Sequence, residues 1–304
     1  MTFEELKDLQ SKYKKDIFSV KGVYGVGIGR NNVNENSAND FSFIIYTDDK
    51  SVENELQKAN IFSENSVPYR VVVEQQLKHD VLYINDNDII YSDQGRYRPL
   101  IGGIQLYLQN NKSAWLGTLG TFVVSRNADD KNLYMLSNLH VLCEKGLAVS
   151  QPLYGNKNII GMVSKAEDFS NTDAALALVN STEDISINII EEIGKVTEIQ
   201  TITDDEIGKR VIKRGRTTML TEGTIETISG IFKVGDALRY DCVCVRADSE
   251  KLFSYSGDSG SPVVLKNENK LVGLHFAGNG TPGGISIFCK IDNVFDRLNV
   301  KLPD

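Results

Sequence analysis

A serine hydroxyl attacks a carbonyl only when a base takes its proton and hydrogen-bond donors receive the charge that develops on oxygen. Gly257-Asp258-Ser259-Gly260-Ser261-Pro262 supplies a serine on a tight turn with exposed backbone N–H groups beside it. Glycine at 257 and 260 opens backbone conformations closed to residues with side chains. The bland alternative is a Gly/Ser/Asp turn leading into a strand. The base must come from three histidines, His79, His140 and His275. His140 lies in the run 133–142, a strand that closes on polar residues, and is the candidate base. His79 sits in the polar stretch 75–80 and reads as solvated, whereas His275 lies in an apolar run where it can line a pocket. A carboxylate is then needed to fix the imidazole tautomer and stabilise its cation. Asp173 stands at the mouth of the apolar strand Ala174-Ala175-Leu176-Ala177-Leu178-Val179, with Asp168 and Asp184 as rivals.

These groups need a scaffold, and 304 residues allow one large domain or two of ordinary size. A formal charge of −8 argues against a general nucleic-acid binder. The one basic cluster, Lys209, Arg210, Lys213, Arg214 and Arg216, reads as a solvated strand end and turn. Cysteines 143, 242, 244 and 289 lack metal-ligand spacing, and Cys242 and Cys244 share a face if their segment is a strand. There is no secretory pattern at Met1 and no apolar run long enough to span a bilayer. The expectation is a reduced, cytoplasmic protein that binds neither membrane nor nucleic acid.

The N-terminal third has a different rhythm. Thr2-Phe3-Glu4-Glu5 reads as a capping box, followed by Phe3, Leu6, Leu9, Tyr13 and Ile17 at helical spacing. Strands are predicted at 23–29, 41–47 and 69–74, with an Asn-rich turn at 31–40 and a short helix near 51–60. The order α-β-β-α-β suggests a small α+β module over residues 1–95, joined through 84–98 to the rest. Gly25, Gly27 and Gly29 invite a phosphate-loop reading, but no helix follows them, so close-packed strand positions fit better.

The order His140, Asp173, Ser259 and the motif around Ser259 resemble the chymotrypsin-like serine proteases; α/β-hydrolases run serine, acid, histidine, and position 261 is not the glycine their elbow carries. Three further segments carry the resemblance. Gly117-Thr118-Leu119-Gly120-Thr121-Phe122-Val123-Val124 resembles an early barrel strand. Residues 213–225 resemble a strand–turn–strand of a second barrel, and Leu271-Val272-Gly273-Leu274-His275-Phe276-Ala277-Gly278 resembles the strand beside the primary specificity pocket. The likeness spans roughly residues 96–304. It extends to intracellular bacterial trypsin-like peptidases and the plant Narrow-leaf type, and to glutamyl endopeptidases around Ser259 and His275.

The resemblance implies a mainly β protein, a double antiparallel β-barrel over 96–304 preceded by the α+β module. It implies a serine endopeptidase that works without metal or cofactor on protein or peptide substrates. Ser259 is then the nucleophile, His140 the base and Asp173 its orienting acid, with the N–H groups of Gly257 and Ser259 as oxyanion hole. Phe253 occupies the position where Lys- and Arg-specific relatives carry an acid. His275 matches the histidine that glutamyl endopeptidases direct at a substrate carboxylate, and Phe253, His275, Phe276 and Ala277 are the expected substrate-binding residues. Glu, Asp or Gln before the cut is one expectation and an apolar residue the other. A regulatory partner on 1–95, a catalytically silent barrel and an esterase using the same triad are the further readings.

Overall fold

Thr2 opens the first helix as its spacing predicts. Its Oγ1 accepts the Glu5 N–H at 3.3 Å, and its own N–H reaches the Glu5 carboxylate at 2.8 Å. The helix Phe3–Ser19 buries Phe3, Leu6, Tyr13 and Ile17. Leu9 is only half-buried, and Gln10 takes an inward position instead, donating through Nε2 to the carbonyls of Val26 (3.4 Å) and Ser229 (3.0 Å). The computed structural model describes residues 1–31, 40–62, 66–84, 93–180 and 183–304. Most of the Asn-rich turn and of the connection 84–98 therefore lies outside the described residues.

Strands Val23–Arg30 and Phe41–Thr47 pair antiparallel, and Tyr69–Val73 adds to the latter in parallel. The helix Val52–Ala59 completes the expected α-β-β-α-β order. A Cβ on Gly25, Gly27 or Gly29 would strike the Phe232 ring, the Thr227 side chain or the Glu226 carbonyl. Close strand approach, rather than a phosphate, accounts for those glycines.

Two barrels follow. In the first, Ala114–Thr118 bends through Leu119 and Gly120 into Thr121–Ser125, so one bent strand meets Gln105–Gln109 at one end and Leu133–Ser137 at the other. Ala175–Val179, Ile159–Ala166 and Ala148–Ser150 close the circuit. Leu106, Phe122, Met135, Val149, Val163 and Ala177 fill its interior. In the second barrel, Arg210–Gly215, Pro262–Leu265, Lys270–Gly278, Ile285–Lys290, Ala237–Ala247 and Met219–Val234 form a ring, closed where Arg210–Gly215 pairs with Met219–Val234. The chain then forms the helix Ile291–Leu298.

The division at residue 95 needs correction. Met219–Val234 is a 16-residue strand whose first part pairs with Arg210–Gly215. Its second part offers the same edge to Val23–Arg30, with Gly25 opposite Phe232 and Ile28 opposite Ile228. The short strands Lys78–His79 and Leu82–Ile84 pair with Lys270–Gly278 and Ala114–Thr118. Hydrogen bonds thus tie the N-terminal strands into both barrels, because a long barrel strand leaves an edge that would otherwise stay unpaired.

Candidate active site

The strand Leu133–Ser137 ends at Asn138, and a four-residue helix, Leu139–Leu142, turns His140 into the cleft between the barrels. Asp173 stands just before Ala175–Val179 and is fully buried. Its carboxylate grips His140 twice: Oδ1 accepts the backbone N–H at 3.2 Å and Oδ2 meets Nδ1 at 2.6 Å. Its own N–H donates to Cys289 Sγ at 3.2 Å and its carbonyl accepts from Asn138 Nδ2 at 2.6 Å. Burial alone would raise the Asp173 pKa. The His140 ring and hydrogen bond, with His79 and Arg239 nearby, overcome it and hold the carboxyl well below the usual range. An ionised Asp173 keeps the proton on Nδ1 of neutral His140 and leaves Nε2 as the acceptor. Nε2 lies 2.7 Å from Ser259 Oγ. The rival Asp168 pairs with Arg239 at 2.6 Å, and Asp184 meets Leu100 through its backbone carbonyl; the histidine belongs to Asp173.

Ser259 sits on a turn locked from below by Asp258. That carboxylate is fully buried and accepts the N–H groups of Thr217 (2.8 Å), Thr218 (3.2 Å) and Tyr255 (3.0 Å), the Thr218 hydroxyl (2.6 Å), and Lys213 Nζ (3.2 Å). Burial pulls the Lys213 pKa down, and Asp258 supplies the opposing charge. Burial would raise that of Asp258, but Lys213 and the hydrogen bonds keep it below its ordinary value. The pair persists as an ion pair because every strong acceptor site is used. Gly257 and Gly260 have φ of 105° and 93°, the region that only glycine enters freely, and the turn they form aims the Gly257 and Ser259 N–H groups into the cleft.

The basic cluster is solvated only at Lys209 and, in part, at Arg210. Lys213, Arg214 and Arg216 are buried, and Arg214 spans to Asp93 Oδ2 (2.5 Å) and the Gly103 carbonyl (2.9 Å). Buried carboxylates and carbonyls replace water around Lys213 and Arg214, while Arg216 donates from Nη1 to the Thr217 hydroxyl at 3.2 Å.

The second correction concerns residues 75–80. This stretch lies in the cleft, with Leu77 and Asp80 buried. Lys78 and His79 pair antiparallel with Gly278 and Ala277, and the Asp80 N–H reaches the Phe276 carbonyl at 3.3 Å. The Asp80 carbonyl accepts both Gly257 N–H (2.5 Å) and Ser259 N–H (3.1 Å). Its side chain accepts a 2.8 Å bond from Nε2 of the fully buried His275, whose ring stands edge-on to Phe253 at 6.2 Å. A Cβ on Gly278 would run into Ser254 Oγ, Ser286 Oγ and the Asp80 carboxylate, so the pocket exists because that residue has no side chain. The Asp80 charge also favours the Lys213 cation. Beyond Val81, Leu82 pairs with Leu116 of the first barrel.

His79 lies against the His140 ring at 4.2 Å between centroids. Burial first, and the neighbouring His140 second, push its pKa down to about 4, so it is neutral near pH 7. Ligand atoms of His79, His140 and Asp173 fall within 4.8 Å of one another. A divalent cation there would take the lone pairs that now join His140 to Asp173.

Six strands per closed barrel, with the two barrels meeting at His140 and Ser259, decide the architecture. The fold is that of the chymotrypsin-like serine proteases. Thermobifida fusca protease A superposes with a TM-score of 0.50 at 21% identity, covering 66% of this chain and 97% of its own. A glutamic-acid-specific serine protease described as using a histidine triad in substrate binding gives 0.52 at 16% identity, covering 67% and 100%. Nocardiopsis protease gives 0.51 at 19%, covering 67% and 98%. A model of the Nal1 C-terminal domain matches residues 158–291, in line with the Narrow-leaf resemblance. No curated protein sequence matches significantly.

All eight residues singled out in the sequence meet in this cleft of the chymotrypsin-like fold. Phe276 and Ala277 present backbone, and Phe253 backs the His275 ring. Asp80, Lys213 and Gly278 were missed. The available signal was a lone acidic residue, Asp80, directly before the apolar-leaning run Val81-Leu82-Tyr83-Ile84, matching an extended segment with an acid to offer.

Proposed function

We propose that the chain is a serine endopeptidase that cleaves after acidic residues. The observation that carries this reading is the convergence on one carbonyl. The N–H groups of Gly257 and Ser259 both point at it, while Ser259 Oγ, His140 and Asp173 form an unbroken chain of 2.7 and 2.6 Å bonds beside it. In the proposed reaction Ser259 attacks the substrate carbonyl as His140 takes its proton. The two N–H groups receive the oxyanion, a contribution of about 3–4 kcal/mol for such a donor. His140 then protonates the leaving amine, and water resolves the acyl-enzyme through the same base. Phe276 and Ala277 hold the peptide as an added strand. His275 and the Lys213 charge favour a carboxylate in the pocket, and no acid lies at Phe253 to hold Lys or Arg.

Asp80 fills the hole in the intact chain, so the test uses Asp80→Lys, whose cation is mismatched to His275 and Lys213. This variant should label with a fluorophosphonate probe, and the Ser259→Ala/Asp80→Lys double variant should not. It should cut a peptide library after Asp or Glu. Cutting after Leu, Phe or Met instead would refute the acid preference, and equal labelling without Ser259 would refute the nucleophile.

A further inference from the structure

We infer that residues 78–84 are the cleft's own substrate, and that the chain cuts its Asp80–Val81 bond in cis. The inference rests on the proposed endopeptidase reading and adds a specific target to it. The segment is bound at every point where an extended peptide is held for attack. On the acyl side, Lys78 and His79 pair with Gly278 and Ala277, and the Asp80 N–H reaches the Phe276 carbonyl. At the centre, the Asp80 carbonyl already sits between the Gly257 and Ser259 N–H groups. In the pocket, its carboxylate meets His275 at 2.8 Å. On the amine side, Leu82, Tyr83 and Ile84 pair with Leu116, Trp115 and Ala114 of the other barrel. Ser259 is fully buried as a result, so the uncut segment also keeps other peptides out.

Binding on both sides of one bond, with its carbonyl held by the oxyanion donors, is the posture of a peptide about to be cut. Ser259 Oγ bonds to the Asp80 carbonyl carbon and its proton passes to His140 Nε2. The C–N bond breaks as His140 returns that proton to the Val81 nitrogen. Water then adds to the Asp80–Ser259 ester, giving one proton to His140 and releasing the Asp80 carboxylate and the Ser259 hydroxyl. Peptide plus water yields acid plus amine. The fragment 1–80 should stay bound, since Val23–Arg30 remains paired with Met219–Val234.

The test is the intact mass of the full chain during incubation after purification, for wild type, Ser259→Ala and Asp80→Lys. Wild type should yield 1–80 and 81–304 at a rate unchanged by dilution, with both fragments co-eluting under native conditions. Ser259→Ala should stay whole, and Asp80→Lys should be slowed by roughly 100-fold or more at this bond, as expected when a site's buried polar partners are left unpaired. Cleavage elsewhere, or at a rate that rises with concentration, overturns the inference. An intact wild type beside an Asp80→Lys chain that labels and cuts acidic peptides overturns it while sparing the endopeptidase reading. An intact wild type beside an Asp80→Lys chain that does neither overturns both.

Discussion

The turn 255–261 and the segment 77–82 meet at a single carbonyl and are held in opposite ways. The turn is fixed mainly from its own barrel, where Asp258 gathers three backbone N–H groups, a hydroxyl and Lys213, and Thr118 of the first barrel adds bonds to the Gly257 and Ser259 carbonyls. The segment is fixed from outside, by backbone bonds lent by the strands Lys270–Gly278 and Ala114–Thr118, which belong to different barrels. Two of its three polar side chains each face a histidine, His79 against His140 and Asp80 against His275. Machinery that must not move relies on buried charge and glycine torsions. A ligand that must be released relies on a few strand bonds at its edges. The contrast gives a physical basis for telling a built-in part from a bound one within a single chain.

Breaking the turn should have the largest effect. Asp258→Ala leaves Lys213 buried without its partner, a loss of about 3–5 kcal/mol, read as a lower urea midpoint. The same change should abolish fluorophosphonate labelling of the Asp80→Lys background. If labelling persists with a normal rate, the turn does not depend on its internal lock.

Weakening the pocket should cost less. His275→Ala in the Asp80→Lys background removes one hydrogen bond to a carboxylate, about 1.5–3 kcal/mol, or roughly 10- to 150-fold in kcat/KM for an acidic peptide. Labelling by the small fluorophosphonate should change little. Equal loss for apolar and acidic peptides would mean that His275 supports the barrel rather than reading the substrate.

Acid should loosen the segment through His79. Its pKa is depressed in the folded chain, from an ordinary 6.5 to about 4. Above about pH 6.5 the ring is neutral in both folded and unfolded chains and there is no penalty. Between 6.5 and 4 the unfolded chain binds the proton and the folded one does not, so stability falls as pH falls. The urea midpoint of Ser259→Ala, which stays uncut, should show this decline, and His79→Asn should flatten it relative to the parent. The charged neighbours Asp173 and Arg239 and the ring of His140 are common to both chains, so the difference isolates His79. A parallel pair of curves would remove His79 from the account.

The smallest effect is expected far from the cleft. Thr2→Ala removes the capping box of the first helix and should cost about 1 kcal/mol in thermal or urea unfolding. Labelling of the Asp80→Lys background should be unchanged, because the N-terminal helix packs on Val23–Arg30 and Phe41–Thr47. A change in labelling would mean that the flank communicates with Ser259.

Much of the barrel was readable because its determinants are local. The Gly257 and Gly260 torsions demand glycine, the strand before His140 is largely apolar, and Thr2 with Glu5 announces a helix. His140, Asp173 and Ser259 were legible by residue type and order. Lys213 was not, since a lysine in a basic cluster looks solvated until a carboxylate 45 residues later is seen buried beside it. The 75–80 stretch misled for the same reason. Its polarity suggests water, whereas its partners, His275 and the Gly257 and Ser259 N–H groups, lie 177 to 195 positions away in sequence. The boundary at 95 failed because strand pairing across barrels leaves no trace in local periodicity.

The short chain between Tyr69–Val73 and Lys78–His79 has one more consequence. Residues 74–77 are pinned: Tyr24 donates to the carbonyls of Glu74 and Gln75, Glu74 pairs with Arg246 at 2.7 Å, and Leu77 is buried. Asp80 therefore arrives at the cleft already aimed, at an effective concentration in the millimolar range that such short tethers give. Occupancy of the cleft then needs little intrinsic affinity. A free peptide copying residues 76–84 should be a poor competitor below about millimolar concentration, however well its side chains match.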